Sequence, residues 1–322
     1  MPQWYPKILP NARFWVQIPP AAKKKSVKGV SGATFTLVNK CSYTVWPGIL
    51  GQPVLDTTGF ELVNGKSRSI QAPAGWSGRF WGRTGCNFDE SGHGSCATAD
   101  CGSGEMECHG AGANPPATLA EFTLGSSPSA QDFYDVSLVD GYNLQMIVEA
   151  NGGSGNCGTT GCVDDLNRRC PAELTGAGGG GCRSACEAFG KPEYCCKGEF
   201  GSPESCRPTA YSKVFKTACP RSYSYAYDDA TSTYTCTAAD YVITFCPSLP
   251  RGKLGKDLTK PTNKSGSDPL KGFLSKSSLK GEKQRGGDRE SGKKRTSVHD
   301  AKETRASPAF TFLRLQFTIV AI

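Results

Sequence analysis

The sequence predicts a mainly β protein, a sandwich or barrel with inserted loops, and three observations predict it. Short runs rich in valine, threonine, tyrosine and phenylalanine alternate with Gly/Pro/Ser turns. No helical heptads stand out. Sixteen cysteines fall between Cys41 and Cys246 and none in either flank. An even set confined to one segment reads as eight disulfides.

Zinc is the competing reading of the cysteines, and the spacing argues against it. Structural zinc sites favour C-x2-C pairs with histidine partners. The sequence has no C-x2-C, and His93 and His109 do not form an H-x3–5-H pair. The adjacent Cys195 and Cys196 would strain badly if bonded to each other, so each needs a distant partner. No metal and no cofactor are expected. The disulfides place the protein in an oxidising compartment, secreted or extracellular. The N-terminal stretch MPQWYPKILPNARFWVQIPPAAKKK holds no apolar run of signal-peptide length, so the compartment is read from the cysteines alone.

Charge divides the chain into three. Residues 1–32 carry 6 basic and no acidic residues, residues 33–247 carry 14 basic and 22 acidic, and residues 248–322 carry 17 basic and 7 acidic. An acidic folded domain at 33–247 therefore lies between two basic flanks. The net +8 belongs to the flanks, so no nucleic-acid partner is expected of the domain. Residues 1–32 read as an unfolded extension. Residues 248–322 read as a disordered Lys/Ser/Gly-rich tail. That tail carries the sequon Asn263-Lys264-Ser265 and a KKR run at 293–295, taken as solvated charge. It ends in PAFTFLRLQFTIVAI, which is short for a membrane span and interrupted by Arg314. A cleaved lipid-anchor tail is the alternative reading of that end.

Taken in order, the domain opens with ATFTLVN from Ala33, which alternates as a first strand should. Phe60 to Ile70 reads as a hairpin around Asn64-Gly65. Gly78 to Cys86, residues 119–124, residues 133–139 and Tyr142 to Ala150 read as further strands. From Cys157 to Cys206 the texture changes, with eight cysteines in fifty residues. Two short helices are expected there, at 163–169 and at 183–189, the second capped by Gly190. So little apolar surface leaves the disulfides to hold that region. Strand texture returns at YSYAYDD and YVITFC.

One stretch, ATLAEFTLGSSPSAQDFYDVSLVDGYN at 117–143, collects Glu121, Asp132, Asp135 and Asp140 among β-forming residues. Acids are depleted in strands, and like charges close together repel unless something compensates. Singly, an Asp before Gly is a turn residue and an Arg between strands is a surface charge.

GHGSCATADCGSGEMEC, Gly92 to Cys108, resembles the signature of thaumatin-like proteins, the plant defence family. NKCSYTVWPG, WGRTGCNFDESG, PPATLAEFTL, CPAEL, EYCC and CPRSYSYAYDDATSTYTC resemble further family blocks in the same order. The resemblance covers residues 33–247 and neither flank. It implies a flattened β-sandwich with a disulfide-rich lobe of loops and short helices, and a cleft between them. It also implies eight bonds: Cys41–Cys246, Cys86–Cys96, Cys101–Cys108, Cys157–Cys236, Cys162–Cys219, Cys170–Cys182, Cys186–Cys195 and Cys196–Cys206.

Defence-type members line the cleft with one Arg, one Glu and three Asp. The resemblance carries these to Arg83, Glu121, Asp135, Asp140 and Asp228, with the adjacent Asp229 as the alternative to Asp228. A glycosidase needs one carboxyl group that holds a proton and one that stays ionised. Glu121 is the expected acid and Asp135 its partner. Arg83 is expected to tune the cluster, and Asp140 and Asp228 to orient the sugar. Asp132 lies outside the pattern and reads as solvated. Asp135 and Asp140 differ by an odd number, which puts them on opposite faces of one continuous strand unless a turn intervenes at Asp140-Gly141. Phe88, Phe133 and Tyr142 flank the acidic segments and are candidates for stacking on sugar rings, with core packing as the competing role for each.

The function implied is that of a secreted, monomeric defence protein. Its cleft binds β-1,3-glucan of fungal walls, with weak endo-β-1,3-glucanase activity left open. Two alternatives stand beside it: a non-catalytic carbohydrate-binding or enzyme-inhibitor module, and a protein that permeabilises fungal membranes.

Overall fold

The computed structural model describes residues 4–9, 12–17, 32–176 and 180–248. In the N-terminal extension, expected to lie outside the fold, β1 (Trp4–Leu9) and β2 (Ala12–Gln17) form a two-stranded antiparallel pair. The expectations for the C-terminal tail, its sequon and its apolar end fall outside the described residues.

The domain itself is mainly β, as expected. Its strands are β3 (Ala33–Asn39), β4 (Trp46–Gln52), β5 (Ser67–Ala72), β6 (Ser77–Arg83), β7 (Asn87–Phe88), β8 (Gly94–Ser95), β9 (Leu119–Thr123), β10 (Gln131–Ser137), β11 (Met146–Ser154), β12 (Thr160–Cys162) and β13 (Tyr234–Phe245). Hydrogen bonding links them in the order β12-β11-β13-β10-β9-β6-β4, with β3 joining β13 and β5 joining β3. The twelve-residue β13 is the hinge of this arrangement. Its first residues pair antiparallel with β10, and Tyr241–Phe245 pair parallel with β3. Between the two runs Ala238 adopts a φ of 56°, so one strand serves two layers. The faces these layers turn to each other bury Phe35, Phe80, Phe122, Tyr134 and Tyr241 as one aromatic cluster, with Phe35 ring centroids 4.7 Å from Phe122 and 4.8 Å from Phe80. Offset and edge-on contacts of this kind add to what area burial alone contributes.

Three expectations are corrected, two of them about strands. Residues 60–70 do not fold back on themselves: Leu62 bridges Val45, and β5 pairs with β3 so that Ile70 lies opposite the buried Phe35. The Asn64-Gly65 turn itself forms, with Lys66 N–H bonding to Val63 O at 3.0 Å, but the segments on either side of it pair elsewhere. The YSYAYDD segment is not a strand; only Tyr223 bridges Ser137, and the chain then turns into α4 (Asp229–Ser232). Asp132 is not solvated. It is 7% exposed and accepts from the Gly125 N–H at 2.7 Å and the Tyr241 hydroxyl at 2.8 Å, which ties the β9–β10 connection to β13.

The lobe contains α1 (Ala185–Phe189), α2 (Pro192–Cys195) and α3 (Ala210–Ala218). The expected helix at 183–189 is present, with the Ser184 side chain accepting from the Glu187 N–H and Gly190 in the left-handed region. The expected helix at 163–169 is reduced to a 3-10 turn over Leu166–Arg169. All eight disulfides form with the expected partners, Cys41–Cys246, Cys86–Cys96, Cys101–Cys108, Cys157–Cys236, Cys162–Cys219, Cys170–Cys182, Cys186–Cys195 and Cys196–Cys206. Two of them, Cys162–Cys219 and Cys170–Cys182, lie in the lobe's buried cluster with Leu138, Tyr142 and Phe215. The lobe meets the sandwich at Tyr142 and Cys182, which exchange backbone hydrogen bonds at 2.8 and 2.7 Å.

Candidate functional site

The acidic stretch resolves into one row across the sheet. In register, Leu50 on β4 faces Arg79 on β6, Arg79 faces Glu121 on β9, and Glu121 faces Asp135 on β10. The alternate residues Phe80, Ala120, Phe122, Tyr134 and Val136 point into the core, so the row faces away from it. One step along the same face, Trp81 and Leu119 are covered by Ala99, Cys101, Cys108 and Ala117. The row therefore lies at the edge of a covered zone.

Arg79 Nε is 3.6 Å from Glu121 Oε1, and the Glu121 side chain keeps 35% of its surface open. Protein crowding raises Glu121 above the usual carboxylate range, with Arg79 opposing that shift and Asp140 adding to it. Asp135 is pushed up much further, first by burial and then by the charges of Glu121 and Asp229; Arg79 opposes this only in part. Its Oδ1 is buried and has no hydrogen-bond partner among the described residues. Asp140 lies beyond the end of β10, where Gly141 N–H bonds to Leu138 O at 3.1 Å and Gly141 takes a φ of 87°. That turn removes the parity conflict between Asp135 and Asp140. Burial raises Asp140, and Arg79 opposes the rise.

The structure does not bring Arg83 to this group. It is fully buried, four residues further along β6 under the covering loop. Its Nε donates to Trp46 O at 3.0 Å, and its Nη2 donates to Met106 O at 2.6 Å and Pro47 O at 3.4 Å. Burial pushes its guanidinium down to about 10, with Asp100 and Glu107 opposing. The arginine beside the carboxylates is Arg79.

Asp228 is likewise held elsewhere. It pairs with Lys216 Nζ at 2.9 Å and accepts from Ser224 N–H and Oγ at 3.0 and 2.8 Å. Asp229 is the member whose charge acts on Asp135. The Tyr223 hydroxyl donates to Asp229 Oδ1 at 2.8 Å and also contacts Thr233 Oγ1. Tyr223 is anchored beside Asp135 because its N–H bonds to Val136 O at 2.9 Å. On the lobe side, Glu187 of α1 is pushed up to about 7 by burial, with the charge of Asp140 adding to the rise and Arg183 opposing it.

Sequence reasoning thus placed Glu121, Asp135 and Asp140 together, offered Asp229 as the alternative to Asp228, and missed Arg79, Tyr223 and Glu187. Arg79 carried no signal that set it apart from Arg83, because both lie on one face of β6. Glu187 carried none beyond its place in a helix N-terminal turn. Of the three candidate stacking aromatics, Tyr142 is fully buried with its hydroxyl on Asp164 O at 3.1 Å. Phe88 lies beside Trp46 and the Arg83 guanidinium. Phe133 is open at 42% exposure. Among the described residues no group of three His, Cys, Asp or Glu side chains is arranged to hold a metal ion.

These features define a class: a disulfide-framed β-sandwich with a small lobe and an acidic, arginine-bearing row on one face. The Thaumatin family model matches residues 39–247, and the chain belongs to that family. It is 68% identical over 232 residues to a thaumatin-like protein 1 of Arabidopsis thaliana, covering 69% of this chain and 89% of the relative. It is 60% identical over 225 residues to a pathogenesis-related thaumatin-like protein 3.5 of Cryptomeria japonica, covering 68% and 92%. Pathogenesis-related protein 5 of Arabidopsis thaliana is 57% identical over 223 residues, covering 68% and 92%.

Proposed function

We propose that the cleft binds β-1,3-glucan of fungal walls and that the protein is a secreted, monomeric defence protein with weak endo-β-1,3-glucanase activity. The observation that carries the reading is the uninterrupted row Arg79, Glu121, Asp135 on three adjacent strands. It gives two neighbouring carboxyl groups unlike surroundings. Asp135, crowded by acids and short of a hydrogen-bond partner, holds its proton. Glu121, beside Arg79, is the member that ionises. This reverses the roles expected from the sequence, because the cation lies on Glu121.

In this reading Asp135 gives its proton to the glycosidic oxygen as the bond to the anomeric carbon breaks, and the Glu121 carboxylate takes that carbon. Water then displaces Glu121 while Asp135 accepts the water's proton. Residues directly opposed in an antiparallel pair have Cβ atoms about 4.5–5.5 Å apart. A retaining pair needs its two carboxyl groups about 5–5.5 Å apart and an inverting pair about 6.5–9.5 Å, to admit a water, so side chains on directly opposed residues suit the retaining route. Asp140, Asp229 and Arg79 hold sugar hydroxyls. The disulfides support secretion, since no cysteine among the described residues is free.

The test is release of reducing ends from a linear β-1,3-glucan. Release that disappears in both Glu121→Gln and Asp135→Asn, with the product's anomeric configuration retained, supports the reading. Release unchanged in both variants removes the catalytic assignment. Binding without release by the wild type reduces the function to glucan recognition.

A further inference from the structure

Burying an aromatic side chain is favourable, yet Phe133 stays open on a sheet face. It precedes Asp135 by two residues on β10, so both share that face and stand about 7 Å apart along the strand. Its neighbours across the sheet form a second row beside the acidic one. Gln52 faces Ser77, Ser77 faces Thr123, Thr123 faces Phe133, and Phe133 faces Thr235 on β13. Gln52 and Thr123 are exposed, and Ser77 and Thr235 are half-buried. The Ser77 and Thr123 hydroxyls lie 3.2 Å apart. The face is therefore graded along its strands. One end is roofed over Trp81 and Leu119, the middle carries the charges, and the other end is open, uncharged and lined by hydroxyls and an amide around a single ring.

We infer that Phe133 is the floor of a stacking subsite, one sugar removed from Asp135, so that a glucan chain leaves the acidic row over Phe133 and not under the Trp81 cover. The inference rests on the glucan reading above. A pyranose ring presents an apolar face of C–H groups that lies flat on an aromatic ring, and its equatorial hydroxyls reach sideways to donors and acceptors. Phe133 supplies the first contact, and its cross-strand neighbours Thr123 and Thr235 supply the second. The distance to Asp135 is about one sugar's advance along a chain, so the subsite acts on oligosaccharides that extend past the acidic row.

The experiment is calorimetric titration of the full chain with a β-1,3-linked hexasaccharide, using wild type, Phe133→Ala and Phe133→Tyr, each confirmed by mass to hold its disulfides. Phe133→Ala is expected to bind about tenfold more weakly, the affinity equivalent of one stacked aromatic contact, and Phe133→Tyr to bind as the wild type does. A wild type that binds while Phe133→Ala binds equally tightly overturns the subsite and leaves the glucan reading standing. A wild type that does not bind the hexasaccharide overturns the glucan reading and the subsite with it.

Discussion

Asp135 and Glu121 face each other directly across β9 and β10, and only Glu121 has an arginine within ion-pair distance, Arg79 at 3.6 Å. The asymmetry has a thermodynamic consequence. Asp135 is raised well above its ordinary value of 3.8 in the fold. Such a group's contribution to stability is full below its unfolded pKa and is lost as pH rises through its folded one. Asp135→Asn removes that loss. The variant is expected to melt higher than wild type near neutral pH, by about 2–4 °C for each kcal/mol gained, and at the same temperature near pH 4. Calorimetric scans at the two pH values check this; equal melting at both means that Asp135 is ionised without cost.

Arg79 and Arg83 separate a site charge from a structural one. Arg79→Gln removes the cation that opposes the rise of Glu121, Asp135 and Asp140. Glucan affinity is expected to fall, and the acidic limb of any turnover to move to higher pH, because Glu121 then ionises later. Arg83→Gln leaves the carbonyls of Trp46, Pro47 and Met106 buried without their donor. Its cost is about 3–5 kcal/mol of stability, read by chemical denaturation. A stable Arg83→Gln protein with altered glucan binding reverses the two roles.

These two arginines also mark how far the sequence can be read. Arg79, Trp81 and Arg83 share one face of β6, so strand parity does not separate the two guanidinium groups. What separates them is the covering loop that supplies Ala99, Cys101, Met106 and Cys108, and that cover is a long-range fact. The strands carrying Glu121 and Asp135 were legible because their alternation is local, as were the α1 cap and, through resemblance, the cysteine pairing. Asp132 was misread because its partner, the Tyr241 hydroxyl, lies 109 residues away. Asp228 and Asp229 were indistinguishable until Lys216 of α3 took one of them.

That division makes a third prediction. Asp228→Asn weakens a pair in which Lys216 Nζ also donates to Ser222 O at 3.0 Å and Ser232 Oγ at 2.9 Å. Lys216 is left partly buried without its counter-charge, and the expected loss is about 1–3 kcal/mol of stability with little change in the pH dependence of glucan binding. Asp229→Asn is expected to do the opposite. It is exposed, so stability changes little, while Asp135 loses a charge that raises it and titrates at lower pH. NMR titration of the Asp135 carboxyl in each variant distinguishes the two; a shift in Asp228→Asn alone makes Asp228 the cleft residue.

The frame that holds the row is closed by Cys41–Cys246, which spans 205 residues, whereas Cys101–Cys108 spans 7. In the chain-entropy model the first is worth about 5 kcal/mol and the second about 2–3 kcal/mol. The long closure lies at the end of the β3–β13 pairing, where Lys40 N–H bonds to Phe245 O at 3.1 Å; beside it Cys41 N–H bonds to Asn39 Oδ1 at 2.8 Å, and Asn39 Nδ2 donates to Tyr43 O and Leu62 O at 2.9 and 2.8 Å. Those bonds persist without the sulfur bridge, so the fold survives its removal but melts lower. Replacing both cysteines of the long bridge with alanine is expected to cost about twice as much stability as replacing both of the short one, measured by denaturant titration with the other seven bridges oxidised. Equal losses in the two double variants mean that native-state contacts around the bridges, and not the length of chain each closes, set their contributions.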